Sequence, residues 1–340
     1  MISSITPREL KVEITDACNL RCKFCYLGGD LRQGAHFMAE EEALRWIDWT
    51  VDNAVPGIRF TGGEATLHPK IEMLCSYAHL RGRYVILNTN GLGNAELYRK
   101  LFRVVHDVRI SLPTLDAGRM DGLTGGTEVL AKKQAVIQLA LEAGVPHICL
   151  LTPLLPELHG TLENFVKFVQ TSPRLIWLPL RYEATPVCPR PWTHADAQAF
   201  AEEMADLMGR YPEQAQGIFL AMPFCGVRPT SLGARVFHGR VQDCGPYVAL
   251  NVNARGRMQA CFDVGEMEGI RSLAEIRNAP EIHACASAEA LPEECRRCDH
   301  LARCAGGCRK PYGLVPHGGQ WVDYLAGFLY ENTPSPSTGE

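Results

Sequence analysis

The feature that most constrains this chain is a regular alternation of short β-rich runs with longer segments of helical period between Leu10 and Tyr182. Such alternation is typical of parallel βαβ units. The predicted strands are Leu10–Thr15, Ile58–Thr61, Tyr84–Thr89, Asp107–Leu112, His147–Thr152 and Leu175–Tyr182. The intervening helices are predicted at Met38–Asn53, Pro69–Leu80, Ala95–Arg103, Thr127–Ala143 and Leu162–Gln170. A doubly wound sheet or an incomplete barrel fits this pattern, and both place ligand chemistry at the carboxyl ends of the strands.

The remainder of the chain predicts a second, smaller domain. A helix near Ala195–Gly209 leads to a region that is rich in Cys, Gly and Pro and has little sustained period. Such a region lacks a large apolar core, so cross-links to metal would have to stabilise it. We therefore expect domains at 1–215 and 216–330, followed by a disordered tail at 331–340.

Composition excludes several classes of protein. Lys+Arg 34 against Asp+Glu 38 gives a formal net charge of −4, which supplies no overall field to hold nucleic acid or an anionic membrane. No apolar run approaches the ~20 residues of a membrane-spanning helix, and no apolar signal segment is visible. We expect a cytoplasmic protein. Because a reducing compartment rarely keeps disulfides, the 14 cysteines are expected to bind metal.

A dense group of cysteines follows the first predicted strand. Cys18, Cys22 and Cys25 form a C-x3-C-x2-C run, and the aromatic Tyr26 comes next. Three thiolates this close can bind one soft metal centre, and a cubane iron–sulfur cluster with three protein ligands keeps one iron open to a small chelating ligand. Zinc is the alternative, but structural zinc sites normally take four protein ligands.

The cysteine run resembles the signature of the radical S-adenosylmethionine (SAM) superfamily. Further positions match in order: Gly62-Gly63-Glu64 resembles the Gly-Gly-Glu motif of that family, although Ala65 stands where many relatives have proline. The resemblance implies a [4Fe–4S] cluster on the three cysteines, with its open iron chelating SAM. It also implies an α/β fold, a partial (β/α)6 TIM-like barrel with a small, irregular, cysteine-rich C-terminal domain. The residues it implies for SAM binding are Tyr26, Gly62, Gly63, Glu64, Asn90 and Ser111.

A second cysteine pattern occupies the C-terminal third. Its members are Cys244, Cys261, Cys295, Cys298, Cys304 and Cys308. Thiols in irregular chain suit either zinc or iron–sulfur clusters. The spacing is similar to that of the SPASM extension of radical SAM enzymes. The resemblance implies one or two auxiliary [4Fe–4S] clusters here.

The same resemblance divides these cysteines into two ligand sets. One set is Cys244, Cys261 and Cys308, with Cys225 as a candidate fourth ligand; the other is Cys295, Cys298 and Cys304. No cysteine follows Cys308, so Asp323 or His317 is a candidate for the missing ligand. An open iron and a single-cluster arrangement are the remaining alternatives.

The resemblance implies an oxidoreductase. SAM would be cleaved to a 5′-deoxyadenosyl radical that takes a hydrogen atom from the substrate, with electrons from a flavodoxin- or ferredoxin-type donor and auxiliary clusters assisting net oxidation. We expect the substrate to be a ribosomal peptide or protein side chain in natural-product maturation. The alternative is a small molecule, an aminocyclitol or aminosugar that is dehydrogenated or epimerised. A non-enzymatic zinc scaffold or electron carrier is the alternative of another class.

The end of the last predicted strand carries candidates for substrate chemistry. Cys188 is a candidate hydrogen-atom donor or general base, with a structural thiol as the alternative. Arg181 and Glu183 alternate with Tyr182. We expect both to point into the barrel and bind a polar substrate.

Overall fold

The computed structural model describes residues 7–27, 36–182, 184–185, 188–213, 223, 225, 249–261, 264–267, 269, 272–282, 288–304, 306–308 and 314–326. The first strands are β1 (Glu9–Thr15), β2 (Gly57–Gly62), β3 (Tyr84–Thr89), β4 (Asp107–Ser111), β5 (His147–Leu154) and β6 (Leu175–Arg181). The helices that accompany them are α1 (Glu40–Asp52), α2 (Ile71–Leu80), α3 (Ala95–Leu101), α4 (Ala117–Thr124), α5 (Val129–Glu142), α6 (Glu163–Val169) and α7 (His194–Arg210). Helix α4 was not predicted. Its Asp116 cap and left-handed Gly125 end enclose a single short amphipathic segment.

The strands form one sheet in the order β6-β5-β4-β3-β2-β1-β7-β8-β9 within the described residues. The later strands are β7 (Ala249–Val252), β8 (Met258–Cys261) and β9 (Val264–Met267). All pairs from β6 to β7 are parallel, and β8 and β9 continue antiparallel. The predicted α/β fold with a partial TIM-like barrel is confirmed. The predicted strands did not include β7, which comes from the cysteine-rich region and pairs with β1.

Shorter elements follow the sheet. They are α8 (Leu273–Arg277), α9 (Glu293–Arg296), α10 (Leu301–Cys304), β10 (Leu314–His317) and β11 (Gln320–Asp323). Strands β10 and β11 pair as an antiparallel hairpin. Among the described helices, none combines the length and apolar character needed to cross a membrane.

The two faces of the barrel sheet differ in polarity. Along β1, Leu10, Val12 and Ile14 are fully buried in the main hydrophobic core. Side chains alternate along a strand, so Glu9 and Glu13 lie on the opposite face. That alternation places an apolar layer under the helices and leaves polar side chains for the inside of the barrel.

A buried charge cluster lies where the strands begin. Arg59 pairs with Glu9, and Arg109 Nε donates to Asp107 Oδ2 at 2.9 Å. Arg109 also approaches Glu9, at 3.9 Å. Burial alone would raise the pKa of Glu9, but Arg59, Lys11 and Arg109 lower it. The cluster balances two guanidinium groups against two carboxylates, so each buried charge has a partner.

A second buried ion pair joins β6 to the hairpin. Arg181 Nη1 donates to Asp323 Oδ2 at 2.6 Å, and Nη2 donates to Oδ1 at 3.0 Å. The Arg181 guanidinium also lies 5.2 Å from the centre of the Tyr324 ring. In the sheet Arg181 is in register with Leu154, which belongs to the main core. Arg181 is therefore committed to a structural pair, contrary to the expectation that it binds substrate inside the barrel; Glu183 lies outside the described residues.

We predict that Asp323→Ala lowers the free energy of unfolding by about 3–5 kcal/mol, because it leaves the Arg181 charge buried without its partner. Chemical denaturation of both chains measures this difference. The Arg181→Met/Asp323→Leu variant removes both charges and is expected to be more stable than Asp323→Ala. As a control, Glu293→Ala breaks the exposed pair with Arg297 and should cost less than about 1 kcal/mol. Equal losses in Asp323→Ala and Glu293→Ala would contradict the prediction.

Candidate functional site

The first cysteine group lies on the loop that follows β1, at the carboxyl end of the sheet. Cys18, Cys22 and Cys25 are all half-buried. Thr15 begins the loop: its hydroxyl donates to the His36 carbonyl at 2.7 Å and accepts from the Ala17 amide at 3.0 Å. These local hydrogen bonds turn the chain out of the strand and direct the loop across the end of β2.

The end of β2 is in backbone contact with this loop. Gly63 N donates to Thr15 O at 2.8 Å, and Glu64 N donates to Ala17 O at 2.7 Å. A Cβ on Gly63 would lie 2.2 Å from Ala17 O, and Gly62 has a φ of +127°. Both glycines are therefore required by geometry, one for the approach and one for its backbone conformation.

We predict that Gly63→Ala weakens iron binding by the cysteine loop, because the added methyl group collides with the Ala17 carbonyl and pushes the loop off β2. Iron retained after anaerobic reconstitution and gel filtration measures the effect. Gly122→Ala in α4 is the matched control, since a Cβ there meets nothing within 4 Å. Equal iron retention in the two variants would contradict the prediction.

Glu64 is the buried carboxylate of this site, with 1% of its surface exposed. Its Oε1 accepts from the hydroxyls of Thr66 at 2.6 Å and Thr89 at 2.7 Å, and from the Thr66 amide at 3.1 Å. Its Oε2 accepts from the Asn90 amide at 2.6 Å. Because each carboxylate oxygen offers about two acceptor positions and Oε2 takes only the Asn90 amide, Oε2 keeps one position that a ligand ammonium could use.

Asn90 connects the loop, the acid and the neighbouring strands. Its Nδ2 donates to Asn19 Oδ1 at 2.7 Å and lies 3.8 Å from Cys18 Sγ. Its amide donates to Glu64, and its carbonyl accepts from Lys133. One residue at the end of β3 therefore contacts the cysteine loop, the Gly-Gly-Glu acid and a buried cation.

Lys133 was missed by sequence reasoning. It is fully buried on α5, and its Nζ donates to the carbonyls of Asn90 and, at 2.7 Å, Ser111. Burial lowers the pKa of Lys133 to about 8, and the nearby Cys22, Glu64 and Cys18 oppose that shift. A lysine in a helix is usually exposed to solvent, so the sequence offered no reason to single out Lys133. The only signal was its position on the apolar side of α5, among Val129, Val136 and Ile137.

We predict that Lys133→Met lowers the affinity of the cysteine loop for iron about tenfold, because one charge-assisted hydrogen bond contributes about 1.5–3 kcal/mol. The variant also removes the cation beside Cys18 and Cys22. Lys132→Met is the matched control, since Lys132 is exposed and donates only to Thr127 O. Iron retention under a competing chelator compares the two chains. A loss of the same size in both would refute a specific role for Lys133.

Tyr26 and Ser111 border the same end of the barrel. The Tyr26 hydroxyl is 3.3 Å from Glu13 Oε1 and 3.4 Å from the Gly62 carbonyl. Burial and the Glu13 carboxylate raise the pKa of Tyr26 well above its usual value, so the phenol is neutral and donates. Ser111 contributes its carbonyl to Lys133, and its half-buried side chain ends β4.

The donor set of the loop fits a [4Fe–4S] cluster with one open iron, since it offers three thiols and no fourth protein ligand within the run. Within the described part of the chain, no three Cys, His, Asp or Glu side chains already surround a common metal position. The thiols would therefore turn toward a cluster as it binds. The Lys133 ammonium lies close enough to Cys18 and Cys22 for their charges to act on it, so a cation stands beside two of the thiol donors.

Cys188 lies beside the end of β6. Its amide donates to the Thr185 hydroxyl at 3.1 Å, and its thiol hydrogen-bonds with Tyr182, whose pKa is raised by burial and by that contact. Cys188 is half-buried. The structure thus gives this thiol a phenol partner, and its role in catalysis stays a prediction.

The later cysteines separate into groups. Burial, and to a smaller extent the charges of Cys225, Cys304 and Cys298, raise the pKa of Cys295 to about 12. Cys308 donates its amide to Asp323 at 2.8 Å. We call Cys295, Cys298, Cys304 and Cys308 the cysteine quartet. Cys261 ends β8 and is half-buried, and Cys244 lies outside the described residues.

The sequence profile of the Radical SAM superfamily matches residues 12–169, which contain the cysteine loop, Glu64, Asn90 and Lys133. Residues 12–169 form a radical SAM domain. The predicted recognition is thereby confirmed for residues 12–169.

Two curated proteins and one solved structure are similar to this chain. GTP 3′,8-cyclase of Corynebacterium glutamicum is 32% identical over 194 residues, 50% of this chain and 51% of that protein. GTP 3′,8-cyclase 2 of Mycobacterium bovis is 37% identical over 122 residues, 34% of each chain. Streptococcus suis SuiB bound to its precursor peptide SuiA aligns with a TM-score of 0.72 at 16% identity, covering 96% of this chain and 77% of SuiB. That likeness concerns the fold. The match to the two relatives spans about half of their length or less.

These comparisons correct the predicted function. The expected oxidoreductase of ribosomal peptides or protein side chains is wrong, because curated relatives of the radical SAM domain are named GTP 3′,8-cyclases. The same finding contradicts the two alternatives. These were an aminocyclitol or aminosugar dehydrogenase or epimerase, and a non-enzymatic zinc scaffold or electron carrier. The error has a physical source: the motifs read from the sequence bind the cofactor, and cofactor motifs carry no information about the substrate.

Proposed function

We propose that this chain is a radical SAM enzyme whose radical chemistry acts on a polar small molecule of the nucleotide class inside the barrel. The observation that carries the proposal is the position of Asn90, which contacts the cysteine loop, Glu64 and Lys133 at once. Through Asn90, the iron-binding cysteine loop and Glu64, an acceptor for a ligand ammonium, lie together at one end of the barrel. SAM binding needs both a cluster with an open iron and an acceptor for the ammonium of SAM.

Different residues would hold the iron–sulfur cluster and SAM. Cys18, Cys22 and Cys25 would hold the cluster, Glu64 Oε2 would accept from the SAM ammonium, and the approach of Gly62 and Gly63 would leave room for its methionine part. When bound, the cluster supplies the electron that cleaves SAM to methionine and a 5′-deoxyadenosyl radical. Tyr26 and Ser111 would border the SAM nucleoside, and the barrel wall excludes water.

A nucleotide is the substrate class to test first. The relatives that share the domain are named for GTP, and the inner face of the barrel is polar. On that face Asn251 is buried and its Oδ1 has no hydrogen-bond partner among the residues that the structure describes, although its Nδ2 donates to Gln259 at 2.9 Å. A buried acceptor without a donor suits the amino and hydroxyl groups of a nucleoside.

The cysteine-rich segment belongs to the same proposal. We propose a SPASM-type region within 216–330 that holds auxiliary [4Fe–4S] clusters, after a barrel domain at 1–215, with 331–340 as a tail. Cys261 and the cysteine quartet are thiol donors suited to such clusters. A flavodoxin- or ferredoxin-type donor in the cytoplasm would supply the electrons, and Cys188 beside Tyr182 is the candidate hydrogen-atom donor or base.

The test is an anaerobic assay of the reconstituted full chain with dithionite, SAM and GTP. We expect release of 5′-deoxyadenosine from SAM and its loss in the Cys18→Ala/Cys22→Ala/Cys25→Ala variant, which should also bind about four fewer irons. We further expect GTP to be consumed in proportion to 5′-deoxyadenosine. Cys75→Ala, at a core cysteine on α2, controls for general damage from losing a thiol.

The two parts of the proposal fail separately. An iron-loaded chain that cleaves no SAM with or without GTP would refute the radical SAM activity. Cleavage of SAM that leaves GTP and other nucleotides intact would refute the substrate class and leave the radical chemistry standing.

A further inference from the structure

The second half of the cysteine loop rests on the end of helix α4. Arg21 N donates to Thr124 O and Lys23 N donates to Leu123 O, both at 2.9 Å. These two amides flank Cys22, so the contact fixes the backbone on both sides of one proposed cluster ligand. The backbone contact with β2 involves the start of the same loop. The cysteine loop is therefore held at two separate places.

Both acceptors are carbonyls that the helix itself cannot use. The last four carbonyls of an α-helix have no partner within the helix, and α4 ends at Thr124. A buried peptide group without a hydrogen bond is costly, and Thr124 has 1% of its surface exposed. The loop amides satisfy these carbonyls, and the carbonyls give the loop amides their acceptors. The loop and the helix end therefore stabilise each other.

Leu20 adds apolar packing to the same contact. It belongs to the main hydrophobic core, and a Cβ on Gly126 would lie 3.1 Å from Leu20 Cδ2 and 2.6 Å from Val129 Cγ2. A Cβ on Gly125 would lie 3.2 Å from Arg21 Cβ. The two adjacent glycines after α4 therefore let the cysteine loop lie directly on the turn between α4 and α5.

Asp121 closes this turn. Its Oδ2 accepts from Glu128 N and its Oδ1 accepts from Val129 N, both at 2.9 Å. Its carbonyl accepts from Gly125 N at 2.9 Å. Glu128 has a φ of 54°, which is unfavourable for a residue with a side chain, and the hydrogen bond to Asp121 holds it there. One carboxylate on α4 therefore fixes both the turn and the start of α5.

The same turn sets the position of Lys133. Helix α5 begins at Val129, and Lys133 lies about one helical turn further along it. Its Nζ donates to the carbonyls of Asn90 and Ser111 at the ends of β3 and β4. The cysteine loop and the lysine below the strand ends are therefore attached to one turn, whose geometry depends on Asp121.

We propose that Asp121 is a positioning residue for the iron–sulfur cluster, because through the α4–α5 turn it holds Cys22 and its neighbours in the arrangement that binds the cluster. The inference rests on the cluster of the proposed function, and neither the cysteine motif nor the Gly-Gly-Glu motif includes Asp121. Cys25 N donates to Cys22 O at 3.3 Å, so a displacement of Cys22 carries over to Cys25. Loss of Asp121 loosens two of the three thiols and leaves the start of the loop on β2.

Hydrogen exchange in the metal-free full chain, resolved to single amides by mass spectrometry, tests the hold on the loop. In Asp121→Ala we expect the amides of Arg21 and Lys23 to exchange about tenfold faster, because the carbonyls that they use move with the turn. Asp116→Ala is the matched control. It removes the same charge from the other end of α4, where Asp116 accepts from Arg119 N at 2.7 Å, and it should leave both loop amides protected.

Spectroscopy of the reconstituted chain tests the effect on the cluster. SAM should change the electron paramagnetic resonance signal of the reduced chain, and only a cluster with an open iron responds in this way. In Asp121→Ala we expect that change to be lost, together with up to about four irons under a competing chelator, whereas Asp116→Ala should keep both. Asp121→Asn keeps an acceptor oxygen and is expected to give an intermediate result, which distinguishes a loss of position from a failure to fold.

Three results would overturn the inference. Unchanged exchange at Arg21 and Lys23 in Asp121→Ala would show that the turn does not hold the loop. Faster exchange with unaltered iron and spectrum would show that this hold has no bearing on the cluster. Equal losses in Asp121→Ala and Asp116→Ala would indicate general damage to α4. An unmodified chain that binds no iron would instead refute the proposed function, and the exchange pattern would still decide whether Asp121 holds the loop.

Discussion

The structure depends on a close backbone contact between the end of β2 and the loop after β1. Gly63 and Glu64 donate their amides to Thr15 and Ala17, and no side chain at residue 63 could be placed against those carbonyls. The contact sets where the cysteine loop lies, and it turns the Glu64 carboxylate inward to meet Asn90. Without it, the three thiols would have no defined position relative to the strand ends.

Buried charges then hold the assembly together. Lys133 donates to the ends of β3 and β4, so the cation beside two of the thiol donors also ties two strands at the site. At the other end of the strands Glu9 pairs with Arg59. Each of these charges is costly to bury, and each is compensated by hydrogen bonds in a fixed geometry. The polar groups therefore specify the arrangement of strands more than they add to stability.

The fold and the cofactor domain were predicted correctly from sequence patterns, whereas the predicted substrate was wrong. The strands and helices of the barrel were predictable because each strand is a short apolar run and each helix repeats with its own period. The radical SAM domain was predictable because Cys18, Glu64 and Asn90 stand at successive strand ends. The predicted substrate was wrong because no residue that contacts substrate had been identified, and the expectation for Arg181 ignored a partner that lies 142 residues away.

By itself the sequence determined the local properties of this protein: the βα alternation and the cofactor chemistry that three adjacent thiols allow. Tertiary structure alone decided the pairings between distant residues. It placed Lys133 under Asn90 and matched Arg181 with Asp323. The physical reason is that local propensities depend on neighbours along the chain, whereas buried charges and thiols find their partners only when packing brings remote segments into contact.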